Sequence, residues 1–236
     1  MSTLADHLLQ HVLSFSLDKV KLPPGVGVLD PFQGGHAKEI LRIVTRFHRA
    51  YYSDVRPRVL MLGINPGRLG AGSTGLSFTD TKRCETDLGI PVTGLHTHEP
   101  SSDFFYRMIH AAGGVDRFYG QVYVHSVCPL GFVKEGPTGG PINLNYYDDP
   151  ALERAVLPFM EQWLRALVDM GMRTDVVLCI GTGLNAKSFT ALNGRLKLFD
   201  RIVALEHPRY VMQYKAKQLD RYIGKYVQSL ADAGYQ

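Results

Sequence analysis

The stretch Val59-Leu60-Met61-Leu62-Gly63-Ile64-Asn65-Pro66-Gly67 decides the fold. Its first four residues form an apolar run too short for a helix and bounded by turn formers, the pattern of a strand buried on both faces. Three more runs repeat it: Val122-Tyr123-Val124-His125, Val176-Val177-Leu178-Cys179-Ile180 and Ile202-Val203-Ala204-Leu205. The segments around them carry helical stripes. Ile40, Ile43, Val44 and Phe47 keep a 3.6-residue period, as do Leu152, Val156, Phe159, Trp163 and Leu167 behind an Asp149-Pro150 start, and Leu219, Tyr222, Ile223, Tyr226, Val227 and Leu230 near the end. Strands alternating with helices predict a mainly parallel four-stranded central sheet in a three-layer α/β/α architecture. At 236 residues the chain is read as a single domain spanning 1–236.

Composition narrows the function classes. Hydrophobic residues at 45% and charged residues at 20% are those of a soluble globular protein. Met1 to Leu17 intersperses Asp6, His7, Gln10 and His11 among its apolar residues, so no signal peptide and no membrane partner are expected. Cys84, Cys128 and Cys179 are far apart, which predicts neither disulfides nor zinc; three thiols also fall short of the four that hold an iron–sulfur cluster. No cofactor is expected, and free thiols fit a reducing cytoplasm. Five cations, Arg209, Lys215, Lys217, Arg221 and Lys225, face Asp220 alone in one late segment. Such a patch reads either as a solvated helix face or as a surface for a polyanion.

Parallel sheets bind ligands at the carboxyl ends of their strands. Gly63-Ile64-Asn65-Pro66-Gly67, Ser126-Val127-Cys128-Pro129-Leu130, Gly181-Thr182-Gly183 and His207-Pro208-Arg209 each follow one predicted strand, so all four should converge. Asn65 then points into the cleft from a rigid turn, and Pro208 ends the fourth strand so that His207 stands at its exit. Taken alone, the turn is equally an ordinary strand-to-helix connection, and a core ring is the commoner fate for a phenylalanine such as Phe78.

The ordered set changes that balance. The G-I-N-P-G turn, Phe78, Cys128-Pro129-Leu130, Asn143 in Pro141-Ile142-Asn143-Leu144, and His207-Pro208 together resemble the uracil-DNA glycosylase superfamily over about residues 56 to 225, and within it the single-strand-selective monofunctional branch in a bacterial form. The resemblance implies a monofunctional enzyme of base excision repair that flips a uracil-type base out of DNA and hydrolyses its bond to the sugar. It implies that Asn65 positions the attacking water, Phe78 stacks on the base, Asn143 reads the base edge and His207 stabilises charge developing on uracil O2. Backbone at Ile64 and Gly67 would line the pocket. DNA, single- or double-stranded, is the implied partner of a cytoplasmic, nucleoid-associated monomer. Phosphate contacts are expected from Gly183 and Lys187 at a helix start, and from Arg209 and Lys215.

Some residues depart from the pattern. The spelling G-I-N-P-G is shared with the mismatch-specific branch, whereas His207 argues against that branch, in which asparagine is usual there. No second proline follows His207-Pro208, which leaves the residue filling the duplex open. The glycine-rich stretch Lys134 to Pro141 reads as a long loop, after which Asn143 is favoured over Asn145 as the base reader. A mismatch-specific glycosylase and a catalytically silent nucleic-acid-binding module stand as the alternatives. A small-molecule α/β hydrolase lacks a G-x-S-x-G elbow.

Overall fold

A computed structural model describes residues 2–14 and 20–236; Met1 and residues 15–17 of the opening stretch lie outside the described residues. In chain order the first half comprises α1 (Leu4–Leu13), β1 (Gly27–Leu29), α2 (Ala37–Tyr51), β2 (Val59–Gly63), α3 (Ala71–Thr74), α4 (Thr81–Thr86), α5 (Pro100–Ala111) and α6 (Val115–Tyr119). The second half comprises β3 (Val122–Ser126), β4 (Gly131–Glu135), β5 (Pro141–Leu144), α7 (Pro150–Asp169), β6 (Val177–Ile180), α8 (Leu184–Leu196), β7 (Ile202–Leu205), α9 (Pro208–Tyr214) and α10 (Leu219–Asp232).

The four apolar runs form one all-parallel sheet in the order β3-β2-β6-β7, flanked by helices in the expected α/β/α arrangement. Gly63 aligns with Ser126, Leu62 with Cys179, and Ile180 with Leu205, which brings the carboxyl ends of the strands to one edge. From β2 the chain first winds outward to β3 and then returns to β6, so the order reverses at β2. The turn holding Asn65 leaves the sheet at that reversal, where a crevice opens in such folds.

A second sheet was not foreseen. The antiparallel strands β1-β4-β5 form it, and the stretch read as a loop from Lys134 to Pro141 is a hairpin whose arms carry those two residues. Gly139 and Gly140, both at φ +80°, make the turn, closed by Gly136 N–H to Gly140 O at 2.8 Å. Lys134, Glu135, Pro141 and Ile142 show no buried apolar alternation, so the strand signal is faint. The hairpin delivers Asn143 to the mouth of the first sheet.

The foreseen stripe of α2 is buried; in α7 Phe159 is only half-buried, and Met160 and Leu164 take the adjoining core positions. In α10 only Tyr226 and Leu230 are fully buried, while Leu219, Tyr222, Ile223 and Val227 are half-buried against the core. Asp149 caps α7 through its side chain to Ala151 N–H at 2.7 Å, with Pro150 in the first turn. Trp163 of the same helix is fully buried, lies 4.5 Å from the ring of His125 on β3, and donates its indole N–H to Ser126 O at 3.0 Å. It therefore packs the core and fixes a strand exit. Cys84, Cys128 and Cys179 are free, buried thiols. No helix among the described residues is long and apolar enough to cross a membrane.

Truncating Trp163 to alanine should lower unfolding free energy by roughly 3–5 kcal/mol through the cavity and the lost hydrogen bond. Urea denaturation would register this as a fall in the midpoint with little change of slope.

Candidate active site

A cavity of about 310 Å³ opens at the carboxyl ends of the strands, and Ile64, Asn65, Gly67, Phe78, Asn143, His207 and Arg209 all line it. Every residue expected in the catalytic and base-binding set thus reaches one place, together with Arg209. Ser126 represents the second strand exit there. The Gly181-Thr182-Gly183 exit lines an adjoining hollow, which shares Ile64 and His207 with the first. Gly183 caps α8 in that hollow. Lys187 is exposed on α8 and Lys215 follows α9, and neither belongs to the lining of the cavity or the hollow. One cation of the late basic segment is spoken for: Lys225 Nζ pairs with Glu206 at 2.8 Å.

Asn65 is held by backbone on both sides of its amide. Nδ2 donates to Leu144 O at 3.2 Å, and Oδ1 accepts from Tyr146 N–H at 3.1 Å. A flipped amide would set donor against donor and acceptor against acceptor, so these partners fix its orientation. Tyr146 extends the network by donating its hydroxyl to Asn185 Oδ1 at 2.9 Å, and Asn185 Nδ2 donates to Ile180 O at 3.0 Å. The first-strand turn, the end of β5 and the start of α8 are therefore joined through side chains that are buried or nearly so.

Phe78 sits at φ +54°, a left-handed conformation that costs a bulky residue energy and persists only where the surroundings enforce it. The enforcement is visible. Its ring stacks on Phe105 of α5 at 4.7 Å between centroids with 17° between planes, and its other neighbour is the His207 ring at 5.7 Å. A Cβ on Gly63 would stand 3.0 Å from the ring edge, so the missing side chain there admits the phenylalanine. Although only 8% exposed, the ring lines the cavity.

His207 caps α9, and its Nδ1 accepts the backbone N–H of Arg209 at 3.2 Å. Pro208 has no N–H to offer, so Arg209 presents the first amide of that turn. An acceptor Nδ1 leaves the proton on Nε2. Burial, with the nearby positive Arg209, pushes the imidazole pKa down to about 4, so the ring is neutral at physiological pH.

Asn143 projects from the edge strand β5, its Oδ1 accepting Arg68 N–H at 3.1 Å. Asn145 also lines the cavity, but its backbone and side-chain amides both turn to Asp148, at 2.8 and 3.3 Å. This geometry leaves Asn143 the freer amide. Sequence reasoning missed the α5 side of the cavity, Glu99 and Ser101, and the α9 aromatics Tyr210 and Tyr214, which are 43% and 65% exposed. A signal was present: Glu99-Pro100 followed by Phe104, Phe105, Met108 and Ile109 has a helix start and helical spacing.

The model of the uracil DNA glycosylase superfamily matches residues 50–231. No curated protein matches. The crystal structure of wild-type SMUG2 from Pedobacter heparinus is similar over the full length of both chains, with 44% sequence identity and a TM-score of 0.95. The family match over most of the chain, the parallel sheet and this likeness agree: the chain belongs to the uracil DNA glycosylase superfamily, on its SMUG-like branch.

Proposed function

We propose that this chain is a monofunctional DNA glycosylase that flips uracil, or a related deaminated or 5-substituted base, out of DNA and hydrolyses its N-glycosidic bond as the first step of base excision repair. The observation that carries this reading is the convergence of Asn65, Phe78, Asn143 and His207 on one cavity in a member of this superfamily.

The reaction separates charge. As the bond breaks, the sugar gains oxocarbenium character and the base leaves as an anion, so fixed dipoles aimed at the developing charges do most of the work. His207 supplies one. With Nδ1 engaged by the Arg209 amide, its Nε2–H is the available donor, and a neutral imidazole does so without carrying a charge into the pocket. Asn65 holds the water: its amide partners fix both ends, and the second lone pair of Oδ1 remains to accept from the nucleophile.

Recognition follows from hydrogen-bond complementarity. Phe78 offers a ring face for stacking, worth about 1–3 kcal/mol per base. The Asn143 amide accepts from uracil N3–H and donates to O4, whereas cytosine presents the opposite pattern and would leave polar groups unpaired. The base is out of reach inside a duplex, so it must be extruded, at a cost of a few kcal/mol. Arg209 at the rim and the Gly183 helix start in the adjoining hollow are suited to backbone phosphates that offset this cost. Among the described residues no lysine lines the cavity, which favours hydrolysis over a Schiff base with the sugar. We read the protein as a cytoplasmic, single-domain monomer acting on single- or double-stranded DNA.

Incubation with oligonucleotides carrying uracil, 5-hydroxymethyluracil, hypoxanthine or thymine, followed by alkali cleavage, tests the activity. Uracil should be released, and binding to such DNA without release of any base over hours would overturn the reading. Asn65→Ala and His207→Ala should each slow release by about 10²–10³-fold with the fold intact, although Asn65→Ala should also lower the unfolding midpoint because Leu144 O and Tyr146 N–H lose their partner. Nuclear magnetic resonance of the imidazoles supplies an independent check on the donor. His207 should be neutral with its proton on Nε2 at pH 6, and should protonate only as pH falls to about 4.

A further inference from the structure

Hydrolysis consumes a water whose proton must go somewhere. Asn65 can orient that water, but an amide has no basicity to take the proton. The turn after β2 holds no carboxylate, and among the described residues lining the cavity the only one is Glu99, brought in from the far wall by α5.

Glu99 is unusual in what it does not do. It stands at the N-cap position of α5, yet its side chain makes no capping bond to that helix. Its backbone is held, N–H by Asp80 Oδ2 at 3.0 Å and C=O by Ser102 N–H at 2.9 Å, while its carboxyl accepts no hydrogen bond from the described residues. Oε2 is buried without a partner against Gly70, where a Cβ would stand 2.1 Å away. The loop that lines the pocket is thus built to admit this carboxyl. A buried carboxylate left without donors is costly and calls for a reason.

We propose that Glu99 is the general base of the hydrolysis, a role that rests on the glycosylase reading above. As the oxygen of the Asn65-held water bonds to C1′ of the sugar, one water proton passes to the Glu99 carboxylate. The C1′–N bond breaks and its electron pair leaves on the base, where His207 stabilises it. The proton then passes to the released base or to solvent, and no other reactant is needed.

The surroundings suit the task. Burial and the neighbouring Asp80 charge raise the Glu99 pKa to about 7, against the opposing pull of Arg209. Asp80 faces it from the start of α4 and Arg209 from α9, and Gly70, which has no side chain, lies against the carboxyl. A base poised near the working pH is the most effective kind. Because the ionised form is the active one, the rate should climb as pH rises to about 7 and then level off.

Single-turnover release of uracil against pH tests this, with Glu99→Gln as the shape-preserving variant. The variant should be slower by about 10²-fold or more near neutral pH and should lose the rise with pH. Glu99→Ala should regain activity on adding formate, whereas Asn65→Ala should not. A Glu99→Gln enzyme within threefold of wild type, or one that is slow but keeps the same rise, overturns the inference, as does absence of formate rescue. In each of those cases an active wild type leaves the proposed function standing; a wild type inactive on every uracil-containing oligonucleotide overturns both.

Discussion

The site depends on the two hydrogen bonds that clamp the Asn65 amide between Leu144 O and Tyr146 N–H. Through them a side chain at the exit of the parallel sheet is tied to the end of β5 in the antiparallel one. Each bond is worth only about 1 kcal/mol net, but leaving either amide atom unpaired in that half-buried place would cost more. The consequence is geometric. Asn143 lies on β5 just before that clamp, so the distance between the water-holding amide and the base-reading amide is set by backbone, and one cannot drift without the other.

The same logic governs the opposite wall. Phe78 is kept in a strained left-handed conformation between the ring of Phe105 and the space that Gly63 leaves open. A strained residue in a rigid setting does not reorganise when a ligand arrives, which lowers the entropic cost of forming the complex. Phe105 belongs to α5, and α5 packs on α9, which His207 caps. Stacking face, donor and far wall of the pocket are therefore parts of one packed unit on one side of the cavity, while Asn65 and Asn143 form a second unit joined by the bonds of the Asn65 amide to the backbone at Leu144 and Tyr146.

What could be read from the sequence follows this division. The four strands of the parallel sheet are buried on both faces, so their apolar runs stand out, and the polar residues after each run fall at the carboxyl edge by a general rule of such sheets. Asn65 and His207 were legible for that reason; Phe78 and Asn143, which follow none of those runs, were legible only through the resemblance of the ordered motifs to the superfamily. Strands β4 and β5 were not, because Lys134, Glu135, Pro141 and Ile142 give the hairpin arms no buried alternation to detect. Glu99 was invisible for a different reason. Nothing in His98-Glu99-Pro100 distinguishes a solvated helix cap from a buried carboxyl; only the packing of α5 against the Gly70 loop makes the difference.

Arg209 shows how two functions can sit on one residue without interfering. Its backbone N–H, made the first available donor of α9 by Pro208, fixes the tautomer of His207, while its guanidinium lines the rim of the cavity. The tautomer survives any change of the Arg209 side chain, because the amide remains; only a proline at 209 would remove it. The side chain is accordingly free to serve DNA contacts and the local field, where its charge adds to the burial that keeps the imidazole neutral and restrains the rise in the Glu99 pKa. The His-Pro-Arg order is thus a chemical unit, in which the proline selects the capping amide, the cap selects the tautomer, and the cation biases, in addition to burial, the charge state of the groups on either side.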